Sequence, residues 1–346
     1  MKAVYFTEHG GIDKLTYGDL PDPTAAPGEV VVRVRACGVN HADRWIRAGL
    51  PMLRVPFPFI VGQDIAGEIA AAADGVEAPP VGARVLVNQG VSCGRCARCQ
   101  AGRDHHCAQY RLIGKNLPGG YAELVRVPAQ NLVPLPDEIS FVSAACLPAV
   151  FVTTWNMLFD LAKLAAGEWV LVHAGGSGVG SAAIQLARLV GANVITTAGS
   201  DEKLEKAKTL GAHHGINYNT HDFLREVRRI TKKRGVDVVI EHIGADVWER
   251  SLLCLAPGGR LVLCGASSGY LPQTDLRQLF FRNLRVLGAT GGSRSILFRI
   301  VQLVHEGKVH PVLDRVLPLK DAREAHRLME ARQQFGKLVL VPDGNA

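Results

Sequence analysis

The sequence predicts an α/β protein in which a doubly wound parallel sheet is joined to a β-rich domain, and three observations carry that prediction. From about residue 140 onward, short apolar runs alternate with segments of helical period, as in a parallel sheet covered on both faces. A glycine-rich turn, Gly175-Gly176-Ser177-Gly178-Val179-Gly180, joins one of those runs to a helix. Before residue 140 the chain reads instead as short strands separated by Pro- and Gly-rich turns such as 22–28.

In order along the chain, Glu29-Val30-Val31-Val32-Arg33-Val34-Arg35 is a strand, and 83–87 and 122–127 have the same character. This part suits a small barrel or sandwich. A buried strand at 169–174 then leads to a helix at 181–190, with Ala183, Ala187 and Val190 on one face. A second strand covers 193–198. Ser200 caps the next helix, which carries Leu204, Ala207 and Leu210 and stops at Gly211. Further buried strands lie at 236–240 and 260–264. The tail reads as a strand at 310–317, a helix at 320–332 and a strand at 337–341. Asp321 and Glu324 stand at capping-box spacing in that helix. With 346 residues two domains are expected: a β-rich one over 1–140, a nucleotide-binding one over 141–308, and a return segment, 309–346, that completes the first.

The formal net charge of +7 is spread along the chain with no block of like charges. It suits solubility and an anionic small ligand better than nucleic acid. No apolar stretch has the length of a membrane span, and the amino terminus runs straight into a strand pattern rather than a signal peptide. Four of the eight cysteines crowd into one segment, which points to a metal site in a reducing compartment. A cytoplasmic protein acting on a small molecule, with neither nucleic acid nor membrane as partner, is the expectation.

The glycine-rich turn is placed where a pyrophosphate sits on a helix amino terminus. Missing side chains let backbone N–H groups approach the phosphates, and the helix dipole favours their charge. The spacing departs from strict G-x-G-x-x-G order, and a turn that only packs helix on sheet is the alternative. Gly175, Ser177, Gly178, Val179 and Gly180 form this part of the expected cofactor site. The end of the second strand reads Thr196-Thr197-Ala198-Gly199-Ser200, with no acid standing at the strand end to bond a ribose 2′-hydroxyl. Ser200 and Lys203 are candidates for a 2′-phosphate, which makes NADP(H) the expected cofactor; a plain N-cap and an exposed helix lysine are the alternatives. Thr154, Tyr218, Gly244 and Gly265 complete the candidate set.

Cys93, Cys96, Cys99 and Cys107 follow C-x2-C-x2-C-x7-C spacing. Four thiolates this close complete a tetrahedral shell with no open position, the mark of a structural zinc. Spacing also admits an iron–sulfur cluster. Arg95, Arg98 and Arg103 lie in the same loop and offset the charge, while His105 and His106 read as bystanders.

Together these features resemble the medium-chain dehydrogenase/reductase superfamily, over essentially the whole chain. The matching pieces are Cys37-Gly38-Val39-Asn40-His41-Ala42-Asp43, the 60–67 segment, the cysteine lobe, the glycine turn and Asn283-Leu284-Arg285-Val286-Leu287-Gly288. The resemblance implies a Rossmann nucleotide domain, a GroES-like first domain and a homodimer or homotetramer joined through strands such as 260–264 and 284–288. It also implies where a zinc alcohol dehydrogenase would bind its catalytic metal. The first ligand position matches Cys37. The histidine of Gly-His-Glu is replaced, since this chain reads Gly62-Gln63-Asp64. The third position falls on Ala149, with Cys146 three residues earlier, about 4.5 Å along a helix. An amide is a poor zinc ligand beside imidazole or thiolate. Cys37 therefore reads as a buried small residue rather than a ligand, with weak metal binding as the alternative, and no tightly bound catalytic zinc is expected.

That departure is similar to the zinc-free quinone and enoyl reductase branch, in which Asn40 matches a position near the nicotinamide. Asn40 is the leading catalytic candidate, with His41, Asp43 and Gln63 beside it; Asp64 is a further polar neighbour. Quinones and α,β-unsaturated carbonyls fit, because conjugation spreads the charge that a zinc would otherwise draw onto oxygen. Two other readings stand beside this one: a zinc-dependent alcohol dehydrogenase with loosely held metal, and an NADPH-binding protein without activity.

Overall fold

The computed structural model describes residues 1–51 and 53–342. It divides into two compact units, 1–149 with 293–346, and 150–292. The helix Arg294–His305, which the sequence pattern groups with the nucleotide-binding segment, falls in the first unit.

The second unit is built on six parallel strands: His214–Asn217, Asn193–Ala198, Trp169–Val172, Val236–Glu241, Leu255–Leu263 and Arg285–Gly288, in that spatial order. Numbered along the chain this is 3-2-1-4-5-6, the doubly wound dinucleotide-binding order. The inner strands are apolar on both faces, as in Val236–Glu241, where five of six residues are buried. Helices cover both faces, so no polar alternation is needed.

Details differ from the sequence pattern. The strand expected over 169–174 ends at Val172, and Ala174 takes a left-handed conformation at φ 48. The following helix begins at Gly178 rather than Ser181, because the glycine turn supplies its first turn. The strand expected at 260–264 starts five residues earlier, at Leu255. It is bonded to neighbours on both sides, so of the two strands expected at an oligomer interface only Arg285–Gly288 is a free edge.

The first unit contains a seven-stranded sheet in which six strands run in the order Leu313–Pro318, Lys337–Val341, Glu29–Gly38, Asp64–Ala72, Arg84–Val87 and Leu132–Pro134, and the seventh, Leu124–Pro128, also pairs with Glu29–Gly38. The carboxy-terminal strand Lys337–Val341 is wholly buried and antiparallel to Glu29–Gly38, with Val339 opposite Gly38 and Leu340 opposite Cys37. A stretch more than 300 residues away in sequence thus completes this sheet. In the tail, the strand expected at 310–317 occupies Leu313–Pro318. The helix expected at 320–332 is Ala322–Glu330, preceded by the short turn Leu319–Asp321. Asp321 makes no side-chain cap hydrogen bond there, so its expected capping box does not form. Among the described residues no helix is long and apolar enough to cross a membrane.

Candidate functional site

The cysteine lobe has the geometry its spacing predicts. The Sγ atoms of Cys93, Cys96, Cys99 and Cys107 all lie within 4.8 Å of one another. Two of the separations are 3.9 Å, Cys93 to Cys99, and 3.5 Å, Cys96 to Cys99. A tetrahedral zinc with Zn–S bonds of about 2.3 Å requires sulfurs about 3.8 Å apart, so these four thiols fit that ion. Backbone N–H groups of Arg95 and Cys96 point at the Cys93 sulfur and lower its pKa to about 6, which favours a thiolate ligand. The lobe is tied to the rest of its unit. The Asp104 carboxylate accepts from Arg294 N at 3.1 Å, capping the helix Arg294–His305 from outside, and Gln130 Nε2 donates to Ser92 O at 3.0 Å.

The cofactor candidates, Thr154 apart, gather at one edge of the parallel sheet. Gly175–Gly180 follow the strand Trp169–Val172, Ser200 follows Asn193–Ala198, Tyr218 follows His214–Asn217, Gly244 follows Val236–Glu241 and Gly265 follows Leu255–Leu263. Ligands of open parallel sheets bind at this carboxyl edge, where the winding reverses. The reversal lies between Trp169–Val172 and Val236–Glu241, and a Ser177 Oγ to His242 Nε2 contact of 3.1 Å joins the two loops that flank it. Ser177 caps the twelve-residue helix Gly178–Leu189, its Oγ accepting from Gly180 N at 2.9 Å. Gly180 is needed for the fold itself, since a Cβ there would meet Ala174 O at 2.2 Å. Beneath the loops runs a buried polar chain that sequence inspection does not expose. Thr197 Oγ1 contacts His173 Nδ1 at 3.2 Å, His173 Nε2 contacts Ser251 Oγ at 2.9 Å, and Ser251 donates to Glu241 Oε2 at 3.0 Å. Glu241 Oε1 accepts from the N–H groups of Ile243 and Gly244. Burial lowers the His173 pKa to about 4, so the ring is neutral near pH 7.

At the second strand end, Ser200 Oγ accepts from Lys203 N at 3.3 Å, so Ser200 is an N-cap. Asp201, the acid that follows it, accepts from Asn217 Nδ2 at 2.9 Å. Tyr218 is half-exposed, with its hydroxyl over Gly199. Thr154 is buried, and its hydroxyl bonds Val150 O within its own helix at 2.6 Å.

The catalytic candidates lie in the first unit, and two of them, Asn40 and Asp43, join a buried polar cluster. Asp43 Oδ1 accepts from Gly62 N at 3.2 Å, and its Oδ2 accepts from Asn40 N at 2.8 Å and from the Tyr121 hydroxyl at 3.2 Å. Among the described residues no cation touches this carboxylate, and burial raises its pKa to about 7 against the opposing pull of those N–H groups and of the Lys337 charge. Tyr121 continues to His326 Nε2 at 3.3 Å, and Arg47 Nη1 meets His326 Nδ1 at 2.8 Å. Because Arg47 can only donate, His326 accepts at Nδ1 and carries its proton on Nε2. Arg47 is in turn bonded to Glu330 Oε1 at 2.9 Å.

Asp64 collects a second group of donors. Its Oδ2 accepts from Asn40 Nδ2 at 2.9 Å and Lys337 Nζ at 2.8 Å, and its Oδ1 from Ala149 N at 2.7 Å. Lys337 Nζ also donates to Val39 O at 2.8 Å and Asn40 Oδ1 at 2.7 Å. The structure therefore brings Asn40, Asp64 and the backbone of Ala149 together, and Asn40 has both ends of its amide engaged. Gln63 is buried beside Gly114. His41 opens the helix His41–Ala48. Burial and the positive charge of Arg44 lower its pKa to about 4.

Cys37 does not join this cluster. A Cβ at Gly38 would lie against Asp64, at 3.1 Å from its Cβ, whereas Cys37 Sγ faces Gly62 and Gly120 on the opposite side of the strand. Burial pushes its thiol well above the ordinary range. Cys146 is likewise buried, its thiol donating to Val142 O at 3.4 Å. Among the described residues the four lobe cysteines are the one group of three or more His, Cys, Asp or Glu side chains positioned to share an ion. Sequence inspection misses Lys337, Tyr121, His326 and Arg47. Lys337 leaves one signal: it is the only charge in the apolar run Lys337-Leu338-Val339-Leu340-Val341.

Two family models match the chain. An alcohol dehydrogenase GroES-like domain covers residues 26–137, and a zinc-binding dehydrogenase domain covers 178–306. A zinc-type alcohol dehydrogenase-like protein of Schizosaccharomyces pombe is 33% identical, with 99% of each chain covered. A 2-haloacrylate reductase of a Burkholderia species is 31% identical, with 98% of each covered. Among solved structures, an NAD-dependent alcohol dehydrogenase superposes with a TM-score of 0.95 at 46% identity, with 99% of each chain covered.

Proposed function

The chain belongs to the medium-chain dehydrogenase/reductase superfamily and is an NAD(P)-dependent oxidoreductase, and from that premise we propose that it uses NADPH to reduce a quinone or an α,β-unsaturated carbonyl without a catalytic metal. The donor set around Asp64 carries this reading. One side-chain amide, one backbone N–H, one carboxylate and a bonded ammonium stand there, a poor match for zinc, which prefers thiolate and imidazole.

When bound, NADPH would supply the hydride for the β-carbon of the acceptor and leave as NADP⁺, with the balancing proton coming from solvent. The turn Gly175–Gly180 and the dipole of Gly178–Leu189 hold the diphosphate. Ser200, Lys203 and Tyr218 receive the 2′-phosphate; Asp201, already bonded to Asn217, is kept from the ribose. Gly244 and Gly265 allow the backbone to approach the cofactor. Asn40, His41 and Gln63 line the substrate side as neutral hydrogen-bonding groups, and Asp43 positions Asn40 and Gly62 from behind. The lobe cysteines hold one structural zinc. The exposed Phe280, Phe281 and Val286, at and just before the edge strand Arg285–Gly288, support association with a second copy.

A second reading, alcohol oxidation with NAD, is favoured by the likeness to an NAD-dependent alcohol dehydrogenase. Turnover of NADPH with 2-cyclohexenone and menadione in EDTA, alongside zinc counting, separates the two. The proposal expects activity with one zinc per chain. Chelator-sensitive alcohol oxidation with two zincs supports the second reading, and cofactor binding without turnover of any acceptor supports a non-catalytic protein.

A further inference from the structure

Lys337 opens a strand in which every residue is buried, and its own side chain is only 4% exposed. Its backbone is clamped: Lys337 N donates to Val312 O at 2.8 Å, and Gly336 before it sits at φ +96, where a Cβ would meet Val312 O at 2.3 Å. An ammonium has three N–H donors, and all three are used, on Val39 O, Asn40 Oδ1 and Asp64 Oδ2. The contact with Asn40 Oδ1 determines which way that amide faces. With the oxygen on the ammonium, Nδ2 is directed to Asp64. Asp64 in turn holds Ala149 N.

We infer that Lys337 is a positioning residue, a resident cation that occupies the oxygen acceptors of this site and locks the Asn40 amide, the Asp64 carboxylate and the Ala149 backbone into one arrangement. This rests on the metal-free reading proposed above. With every proton engaged, the ammonium acts on the substrate only through Asn40 and the groups it holds. A divalent ion finds Asp64 Oδ2 and Asn40 Oδ1 already bonded to a charge that cannot diffuse away.

The test separates positioning from stability. Lys337→Met leaves the Asp64 carboxylate buried and unpaired, so the variant is expected to melt well below the wild type. Adding Asp64→Asn removes that charge and restores most of the melting temperature, but does not restore the lock on Asn40. The double variant is therefore expected to bind NADPH within about twofold of wild type while its kcat with 2-cyclohexenone stays about a hundredfold down, the effect of a misplacement near 1 Å. Recovery of kcat together with the melting temperature would overturn the inference, as would an unchanged kcat in either folded variant. Wild type run in the same assay shows whether the proposed activity itself fails. In that event the reading of Lys337 is still decided by ¹⁵Nζ-lysine spectra of the wild type at pH 7. A protected, charged ammonium signal that is lost in Lys337→Met supports it, and the absence of that signal overturns it.

Discussion

Replacing Asp43 by Asn isolates the energetic consequence of a buried carboxylate that has donors but no cation. In the folded chain its pKa rises from 3.8 to about 7, chiefly because burial penalises the charge. The folded state therefore holds a proton between those values that the unfolded state has released. A raised folded pKa means that the stabilising contribution is complete below pH 3.8 and is lost as pH rises through about 7. Each pH unit in the window is worth about 1.4 kcal/mol. Between pH 5 and pH 7 the wild type should therefore lose about 2 kcal/mol relative to Asp43→Asn, in which this site cannot titrate, because the last half-unit below the folded pKa contributes less than the full slope. Every other titrating group is common to both proteins and cancels in the difference. Urea unfolding at half-unit pH steps measures it. The difference should fall steadily to near pH 7 and flatten above. Parallel stability curves across that window would mean that Asp43 titrates normally and that the cost of burying its charge is not energetically real.

Three further outcomes follow from the geometry. Ser251→Ala leaves His173 Nε2 and Glu241 Oε2 without their shared partner in a dry interior. Urea unfolding should register a loss of about 2–6 kcal/mol, taking about 1–3 kcal/mol for each of the two orphaned groups. Stripping zinc from the lobe releases Asp104 from the amino terminus of Arg294–His305. Hydrogen exchange at the Arg294 amide should accelerate about fivefold, the equivalent of a cap worth about 1 kcal/mol, while NADPH affinity stays unchanged. Lys203→Ala should weaken NADPH about tenfold, one charge-assisted contact or about 1.4 kcal/mol, and leave NADH affinity nearly untouched; equal losses for both cofactors in calorimetry would remove Lys203 from the 2′-phosphate site.

The parts of this protein that are legible in its sequence are those governed by local rules. Zinc spacing needs four residues in one loop, and the sulfurs of Cys93, Cys96, Cys99 and Cys107 fall where the spacing puts them. The alternation of apolar strand and helix gives the doubly wound sheet, and the strand Asn193–Ala198 and the Ser200 cap occur as the pattern predicts. The polar cluster obeys no local rule. Asn40, Asp64, Ala149 and Lys337 come from four separated segments, and only the return of Lys337–Val341 against Glu29–Gly38 brings the lysine to the others. Cys37 lies in the core, as its reading as a buried small residue expects, but the face of the strand it takes is not legible. A one-residue change of parity moves a side chain to the other face of a strand. The end of Glu29–Gly38 is buried on both sides and offers no polar alternation to reveal that parity. Family spacing thus points to the sulfur, while the fold turns it into the core.

Deuterium transfer tests the central claim most directly. Protein carrying one zinc per chain would be incubated with [4-²H]NADPH of the transferred face and 2-cyclohexenone in EDTA, and the product analysed by mass spectrometry and NMR. Metal-free conjugate reduction places a single deuterium on the β-carbon of cyclohexanone. A label on the carbinol carbon of an allylic alcohol, or label transfer that disappears with the chelator, would contradict it.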